Sequence, residues 1–484
     1  MNAEASIKRP NIILIMTDQQ RGDCLSIENH PVLLTPNMDH IAGSGARFSK
    51  CYTTCPVCIP ARRSLLSGQF PSTHGMVGYR DHVSDWDPAL SLPTHLKKAG
   101  YQTYLAGRTM HQHPERKRYG YDHMVLGTLD YDRWLRKKVP IETYMPSGEH
   151  PGTGDYYGTG VMNSDWTARH WHLDEALHQT NWTVNEALRF LQDRDPSCPY
   201  FLTVSFLAPH PPLIPPAFYM DRYLRQEPHE PVIGDWAEPP IGGGKGRGPA
   251  STNVDLRGEA LRSARAGYYG LINHVDDQIR RFLFGSAVDN RDTVVIFTSD
   301  HGEMLGDHYF WKKSLPYEPS VRIPLLIRAP EHYGIRPGTV IDNPVCLEDI
   351  MPTILDMAGL DIPETVDGMS LLPLLRGEQT EWRSYLHIEQ GEGALEKQYT
   401  HHTLTDGKEK YIWFANDGRE QFFHLAEDPN ECRELSVKEQ AAERMNDWRR
   451  LLIEVLKDRP EGFTDGGRLI AGRPYSPVMP RRDG

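Results

Sequence analysis

Short apolar runs set between polar and turn-rich stretches mark most of the chain. Asn11–Thr17 (NIILIMT), Gln102–Ala106 (QTYLA), Tyr200–Leu207 (YFLTVSFL) and Thr293–Ser299 (TVVIFTS) are the clearest. Each is five to eight residues long, rich in β-branched or aromatic residues and not alternating, the pattern of a strand buried on both faces. Between them the spacing predicts helices over Leu92–Gly100, Asn181–Asp193 and Leu261–Phe284. Strands alternating with helices predict an α/β fold around a large, mostly parallel sheet sandwiched by helices. The Pro- and Gly-rich stretch 228–253 predicts a long surface loop or insertion. Near residue 375 the pattern changes. Ser384–Gln390, Tyr399–Thr405, Glu409–Ala415 and Gln421–Leu425 read as short strands joined by Gly and Asp turns, with a helix over Ser436–Leu456 behind them. The expected organisation is an α/β domain over 1–375 and a smaller C-terminal α+β domain with an antiparallel sheet over 376–484.

Composition narrows the function classes. The chain has 484 residues, 39% apolar and 24% charged, which is ordinary for a globular protein able to bury a large core. Lys and Arg number 53 against 65 for Asp and Glu, a net charge of −12, so nucleic acid is not an expected partner. A local basic pocket for an anionic small substrate is compatible with that balance. No run approaches the ~20 apolar residues of a membrane span. Met1 to Pro10 carries no apolar segment of a secretory signal, so the expected location is cytoplasmic, or periplasmic or secreted if an export signal has been removed. Seven cysteines are an odd number, and Cys24, Cys198, Cys346 and Cys432 are widely spread, which is not a disulfide framework. The 22 histidines keep metal and acid–base chemistry open.

Candidate chemistry collects at strand ends. The first strand runs into Asp18 and Gln19, and the strand Thr293–Ser299 runs into Asp300 and His301. Ligands of open parallel sheets sit beyond the carboxyl ends of the strands, so both pairs are expected in one crevice. Two carboxylates, an amide oxygen and an imidazole suit a divalent metal. Taken singly, each Asp reads as a helix cap or turn residue, and it is the paired placement that favours a ligand role. Gly107, Arg108 and His111 follow a third strand and Pro209, His210, Pro211 and Pro212 a fourth. Metal, Arg and His converging on one crevice suit an oxyanion such as sulfate or phosphate.

Three cysteines, Cys51, Cys55 and Cys58, precede a segment in which Pro60 can start a helix and Gly68 can end it. Cys58 then stands just before a helix N-terminus, where backbone donors and the macrodipole favour an anion. The spacing admits three readings: an iron–sulfur triplet, a redox pair at Cys55 and Cys58, or small buried residues on a Cys-rich loop.

The segment after Cys58 separates them. Cys58-Ile-Pro-Ala-Arg62, with Ser64-Leu65-Leu66-Ser67-Gly68, resembles the signature of the formylglycine-dependent sulfatase family of the alkaline-phosphatase superfamily. Asn11 to Gln19, Gly100 to His111, Pro209-His210, Ser299 to Glu303, Lys313 to Glu318, and Lys410-Tyr411-Ile412 with Phe423 to Pro429 resemble further blocks of that family, in order along the chain. The resemblance implies an alkaline-phosphatase-like fold and hydrolysis of sulfate esters. It implies oxidation of Cys58 to formylglycine by a dedicated maturation enzyme, a partner of this chain. It further implies one divalent metal, Ca²⁺ first, held by Asp18, Gln19, Asp300 and His301. Arg62 would neutralise the ionised diol and brace the metal site, and His111 would take a proton as sulfate leaves. His210 and Lys313 would bind sulfate oxygens and protonate the leaving group, and Arg108 would be a further sulfate contact. Lys313 is preferred to Lys312 on its spacing to Tyr317 and Glu318.

Three positions depart from the family pattern. Gln19 stands where many members carry an acid, His301 where many carry Asn, and Arg108 where Lys is usual. One carboxylate fewer and one imidazole more admit Mn²⁺, Mg²⁺ or Zn²⁺. They also resemble the phosphonate monoester hydrolases of the superfamily, so a phosphonate or phosphodiester substrate is the alternative. The substrate expected first is a sulfated carbohydrate rather than an aryl sulfate, because the 10 Trp and 22 Tyr offer platforms for sugar rings. His113, Arg116, Lys117 and Arg118 form a basic stretch that either lines the pocket mouth or is a solvated loop.

Overall fold

The computed structural model describes residues 9–83, 86–139, 161, 166–227, 229–240, 251–285, 288 and 291–479. Eight strands form the central sheet: β1 (Asn11–Asp18), β2 (Ala46–Phe48), β4 (Gln102–Gly107), β5 (His123–Leu126), β6 (Tyr200–Pro209), β7 (Thr293–Ser299), β9 (Leu325–Arg328) and β10 (Thr339–Ile341). Their order is β10-β2-β9-β7-β1-β6-β4-β5, and only β9 runs antiparallel to its neighbours. A small second sheet joins β3 (Cys51–Tyr52), β8 (Arg322–Ile323) and β11 (Val345–Cys346). The third is an antiparallel meander of β12 (Leu386–Gln390), β13 (His401–Thr405), β14 (Lys410–Phe414) and β15 (Glu420–Phe423).

The unbroken apolar runs are explained by two cores, one on each face of the central sheet. Ile13 and Ile15 of β1 join Leu202, Val204, Val295 and Phe297 beneath the helix Gly258–Leu283. Ile12, Leu14 and Met16 point the other way and join Phe201, Val294 and Ile296 beneath the helices Cys58–Ser67, Leu92–Lys98 and Ile350–Met357. Successive side chains of a strand face opposite sides, so a strand buried on both must be apolar throughout.

The meander is built differently. Tyr411 and Trp413 face Met445, Trp448, Leu452 and Leu456 along one stripe of the helix Ala442–Leu456. Ile412, Phe414 and Phe423 face Met304, Phe310, Leu315 and Tyr317 of the segment that follows β7. The C-terminal sheet therefore supports the loop carrying Lys313.

The four long strands and three helices expected from the pattern are present with ends shifted by at most three residues. The expected C-terminal helix is shorter, because 3-10 geometry at Glu439–Ala441 precedes it. The helix after the cysteines starts at Cys58 rather than Pro60, since the first turn has no intrahelical use for the proline N–H. The stretch 228–253 is not a free surface loop where it is described. Trp236 stacks on Tyr317 at 4.4 Å and its indole N–H donates to the Glu431 carbonyl at 2.7 Å. Residues 228 and 241–250 of that stretch lie outside the described residues. Among the described residues, no helix is long and apolar enough to cross a membrane.

Candidate active site

Parallel pairing of β1 and β7, with Thr17 opposite Ser299, brings Asp18 and Asp300 side by side at the carboxyl edge of the sheet. The chain then turns sharply. Gln19 has φ 73°, in the left-handed region, and its N–H donates to Asp300 Oδ1 at 3.0 Å, as does the N–H of His301. Asp300 Oδ2 accepts from Arg62 Nε at 2.9 Å. Asp18 Oδ2 accepts from Arg62 Nη2 at 3.2 Å and from Arg108 Nε at 3.1 Å. Burial alone would raise the Asp18 carboxyl, but His210, Arg62, Arg108 and Lys313 around it hold it well below the usual carboxylate range.

Arg62 comes from the helix Cys58–Ser67, all ten residues of which are buried. Its Nη1 donates to the Thr109 carbonyl at 2.8 Å and to Ser205 Oγ at 3.3 Å, so the guanidinium spans three strand ends with no exposed surface. Gly68 ends the helix at φ 65°, and a Cβ there would meet Val366 at 2.8 Å. Glycine is the residue that allows both the turn and the approach.

Cys58 opens this helix and points into the carboxylate cluster. Its sulfur is 3.2 Å from His301 Nε2 and 3.8 Å from Asp18 Oδ1. Burial, together with Asp18 and Asp300, pushes the thiol up to about 12. The other two cysteines turn elsewhere. Cys51 lies in β3 within the core, and the Cys55 thiol points to Gln390 Oε1 at 3.6 Å. The iron–sulfur and redox readings of the triplet are thereby corrected: three side chains on a strand, a loop and a helix start face three directions.

Asp18, Cys58, Asp300 and His301 offer ligand atoms within 4.8 Å of one another, the one such group among the described residues. The donor set fits a divalent cation. His301 Nδ1 donates to the Gly302 carbonyl at 3.0 Å, which leaves a lone pair on Nε2 facing the cluster, and burial keeps the ring neutral. Gln19 reaches the same edge, but its amide is engaged: Lys313 Nζ donates to its Oε1 at 2.6 Å and its Nε2 donates to Glu303. Of the neighbouring lysines, Lys313 is the one whose ammonium reaches Gln19.

The remaining candidates rim the cluster. Gly107, with φ 107°, lets β4 approach β6 so closely that a Cβ would lie 2.0 Å from the Ser205 carbonyl, and the next residue is Arg108. His111 also has a left-handed backbone, at φ 53°. Its Nε2 is buried without a hydrogen-bond partner, and burial with Arg108 and Arg62 nearby keeps the ring neutral. His210 is held by its own N–H to the Asp18 carbonyl at 3.0 Å, while its Nδ1 donates to the Pro211 carbonyl at 2.6 Å. That leaves Nε2 as an acceptor. All candidate residues thus gather at one edge of the sheet.

Three members of the basic stretch are engaged by neighbouring segments. Arg116 forms a bidentate pair with Asp130, Lys117 donates to the Trp86 carbonyl at 3.2 Å, and Arg118 donates to the Asp122 carbonyl. Glu303 was not expected in the site. Its signal in the sequence was its place at the end of the Ser299–Glu303 block, to which no role was attached.

The family pattern described as sulfatase matches residues 10–360, and that of N-sulphoglucosamine sulphohydrolase, C-terminal, matches 306–458. An arylsulfatase of Clostridium perfringens is 39% identical over 491 residues, covering 97% of this chain and 98% of its own. The phosphonate monoester hydrolase of Agrobacterium radiobacter superposes with TM-score 0.75 at 27% identity, over 93% of this chain and 96% of that one. A protein solved with its substrate D-glucosamine-2-N,6-O-disulfate has TM-score 0.73 at 23% identity, over 93% and 98% of the two chains. With an alkaline-phosphatase-like fold and a signature cysteine inside a buried acidic cluster, the chain belongs to the sulfatase family and is a sulfuric ester hydrolase.

Proposed function

We propose that the chain hydrolyses sulfate esters of a carbohydrate through a formylglycine at position 58 and one divalent cation, Ca²⁺ first, held by Asp18, Gln19, Asp300 and His301. The observation that carries the reading is the position of Cys58, with its sulfur 3.2 Å from His301 Nε2 in a cluster of two buried carboxylates. As a hydrated aldehyde, position 58 would supply a geminal diol, with one hydroxyl to attack sulfur and the other to release sulfate afterwards. The cation would supply Lewis acidity for that diol and for a sulfate oxygen.

The chain's own residues do the rest. Arg62 holds both carboxylates from behind, so the charge at position 58 is balanced without movement. Arg108 and Lys313 bring positive charge against the sulfate oxygens. His111, neutral and unpartnered at Nε2, accepts the proton of the second hydroxyl. Lys313 and His210 would hold sulfate oxygens and protonate the leaving oxygen, His210 doing so with the proton on Nε2.

The carbohydrate preference is supported by the sugar disulfate in the structural relative, and the arylsulfatase relative makes an aryl sulfate the nearest competitor. A phosphonate monoester is a second reading, favoured by Gln19 and His301 and by the phosphonate monoester hydrolase relative. The test is the mass of the peptide carrying residue 58, from protein co-expressed with a formylglycine-generating enzyme, followed by sulfate and phosphonate release assays. The aldehyde mass is expected, with loss of turnover in folded Cys58→Ala and His210→Ala proteins. A fully active Cys58→Ala would refute the reading, and faster phosphonate than sulfate release would replace it with the second.

A further inference from the structure

Glu303 is a buried carboxylate with both oxygens in use. Oε2 accepts from the Gln19 amide Nε2. Oε1 accepts from the backbone N–H of Leu305 at 3.0 Å and from that of Lys312. One side chain therefore grips Gln19 at the strand end and pins both ends of the turn that delivers Lys313. The backbone between is unusual: Leu305, His308, Tyr309, Lys312 and Ser314 all have φ between 53° and 76°. Such conformations persist only where surrounding contacts impose them.

The partners of Gln19 matter because an amide has two unlike ends. Its NH₂ only donates and its oxygen only accepts, and rotation by half a turn exchanges them. Glu303 is an acceptor on one side, and the Lys313 ammonium is a donor on the other at 2.6 Å. Both partners select the same orientation, with the oxygen towards Lys313 and the site. A carboxylate at position 19 would need no such selection, and the negative charge that Gln19 lacks stands directly behind its amide, on Glu303.

We propose that Glu303 is a positioning residue that fixes the Gln19 amide with its oxygen towards the metal site and holds the Lys313 turn in place. Gln19 and Glu303 then act as one acidic ligand divided over two side chains. An amide in place of the Glu303 carboxylate can either donate or accept, so it no longer dictates which way Gln19 points.

The test compares Glu303→Gln, Gln19→Glu and the charge-swapped double variant, all co-expressed with the maturation enzyme. Titration calorimetry reads Ca²⁺, Mg²⁺ and Mn²⁺ affinity, and p-nitrophenyl sulfate reads kcat and KM. Glu303→Gln is expected to weaken the tightest-bound ion about 10- to 100-fold, the usual cost of removing an outer partner of a metal ligand. Its kcat falls in parallel, while KM changes much less. In the double variant the carboxylate introduced at position 19 accepts from Lys313 and from the amide introduced at position 303. It recovers at least a tenfold share of the lost affinity, a rescue that a merely structural role would not produce. Wild-type affinity and kcat in Glu303→Gln would overturn the proposal, as would a double variant no better than the weaker single one. If Glu303→Gln does not fold, a folded, metal-binding double variant supports the proposal; a folded one without affinity, or one that also fails to fold, overturns it. The turnover arm rests on the sulfate-ester reading, but metal affinity does not. A wild-type protein that binds metal and hydrolyses no sulfate ester would refute that reading and leave this one standing.

Discussion

The site has two halves built on different principles. Asp18, Asp300, His301 and Arg62 sit at strand ends and on a buried helix, with no exposed side-chain surface. Their geometry follows from the sheet, because β1 and β7 are hydrogen-bonded neighbours. Arg108, His111, His210 and Lys313 sit on loops, and local hydrogen bonds, glycine turns and left-handed backbone aim them. The Lys313 turn leans further on the C-terminal sheet. Lys410 Nζ, itself buried, is 2.7 Å from Glu431 and 2.9 Å from Glu318 and donates to the Pro316 carbonyl at 3.0 Å. Tyr317 OH donates to Gln421 at 2.9 Å. The contrast separates what must not move, the charged floor, from what adapts to a substrate, the rim. Stability and activity should therefore fall together in the first half and be separable in the second.

The largest effect is expected at the floor. Arg62→Ala leaves Asp300 buried without its guanidinium and Asp18 with Arg108 alone, and should cost about 3–5 kcal/mol in urea unfolding, with turnover reduced to background. A stable, active Arg62→Ala protein would show that the floor is not held by this pair. Lys410→Met comes next. It leaves Glu431 without its cation and Glu318 with Arg322 alone at 3.6 Å, and should destabilise by about 3 kcal/mol. Because it loosens the Lys313 turn from a distance, kcat should fall about tenfold while metal affinity, read by calorimetry, stays near wild type. Equal loss of metal affinity would mean that the two halves are not independent.

Acid should act on the C-terminal sheet. His387 Nε2 and His402 Nδ1 lie 3.1 Å apart, and His402 stacks between Trp413 and Tyr475. Burial lowers His387 and His401 to about 4. The unfolded chain binds these protons near pH 6.5 and the folded chain does not. Their contribution to stability is therefore complete above about pH 6.5 and lost as the pH falls towards 4. At pH 5.5 each should cost about 1 kcal/mol, read as a lower urea midpoint than at pH 7. A midpoint independent of pH over this range would place these rings in contact with water. The smallest effect is expected from Arg116→Ala, since an exposed pair with Asp130 contributes about 0–1 kcal/mol. Its kcat/KM should match wild type, and a large fall would return the basic stretch to the pocket mouth.

The long strands were legible because burial on both faces demands unbroken apolar runs, as Ile12 to Met16 shows. The short ones were not. β3, β8 and β11 have two residues each, too few for any periodicity, and β9 is an ordinary apolar run whose antiparallel direction depends on the path of the chain between. At the site, Asp18, Asp300, His111 and His210 were legible from their places after strands, and Cys58 with Arg62 from their signature. The role of Glu303 was hidden, although it closes the Ser299–Glu303 block, since a glutamate there reads as solvated until the loop is seen to fold over it.

The sequence by itself determined the alternation of strands and helices, the change of pattern near residue 375, the family, and the candidate side chains that gather at the sheet edge. These depend on local periodicity and on residue types at fixed spacing, which a linear chain displays. Tertiary structure alone decided that the three cysteines diverge, that Arg116, Lys117 and Arg118 are engaged by Asp130, Trp86 and Asp122, and that Glu303 orients Gln19. It also decided that the C-terminal meander braces Lys313. Each of these depends on which distant groups meet in a buried space, where an unpaired charge or an unsatisfied amide is costly enough to select one partner, and spacing along the chain carries no record of that choice.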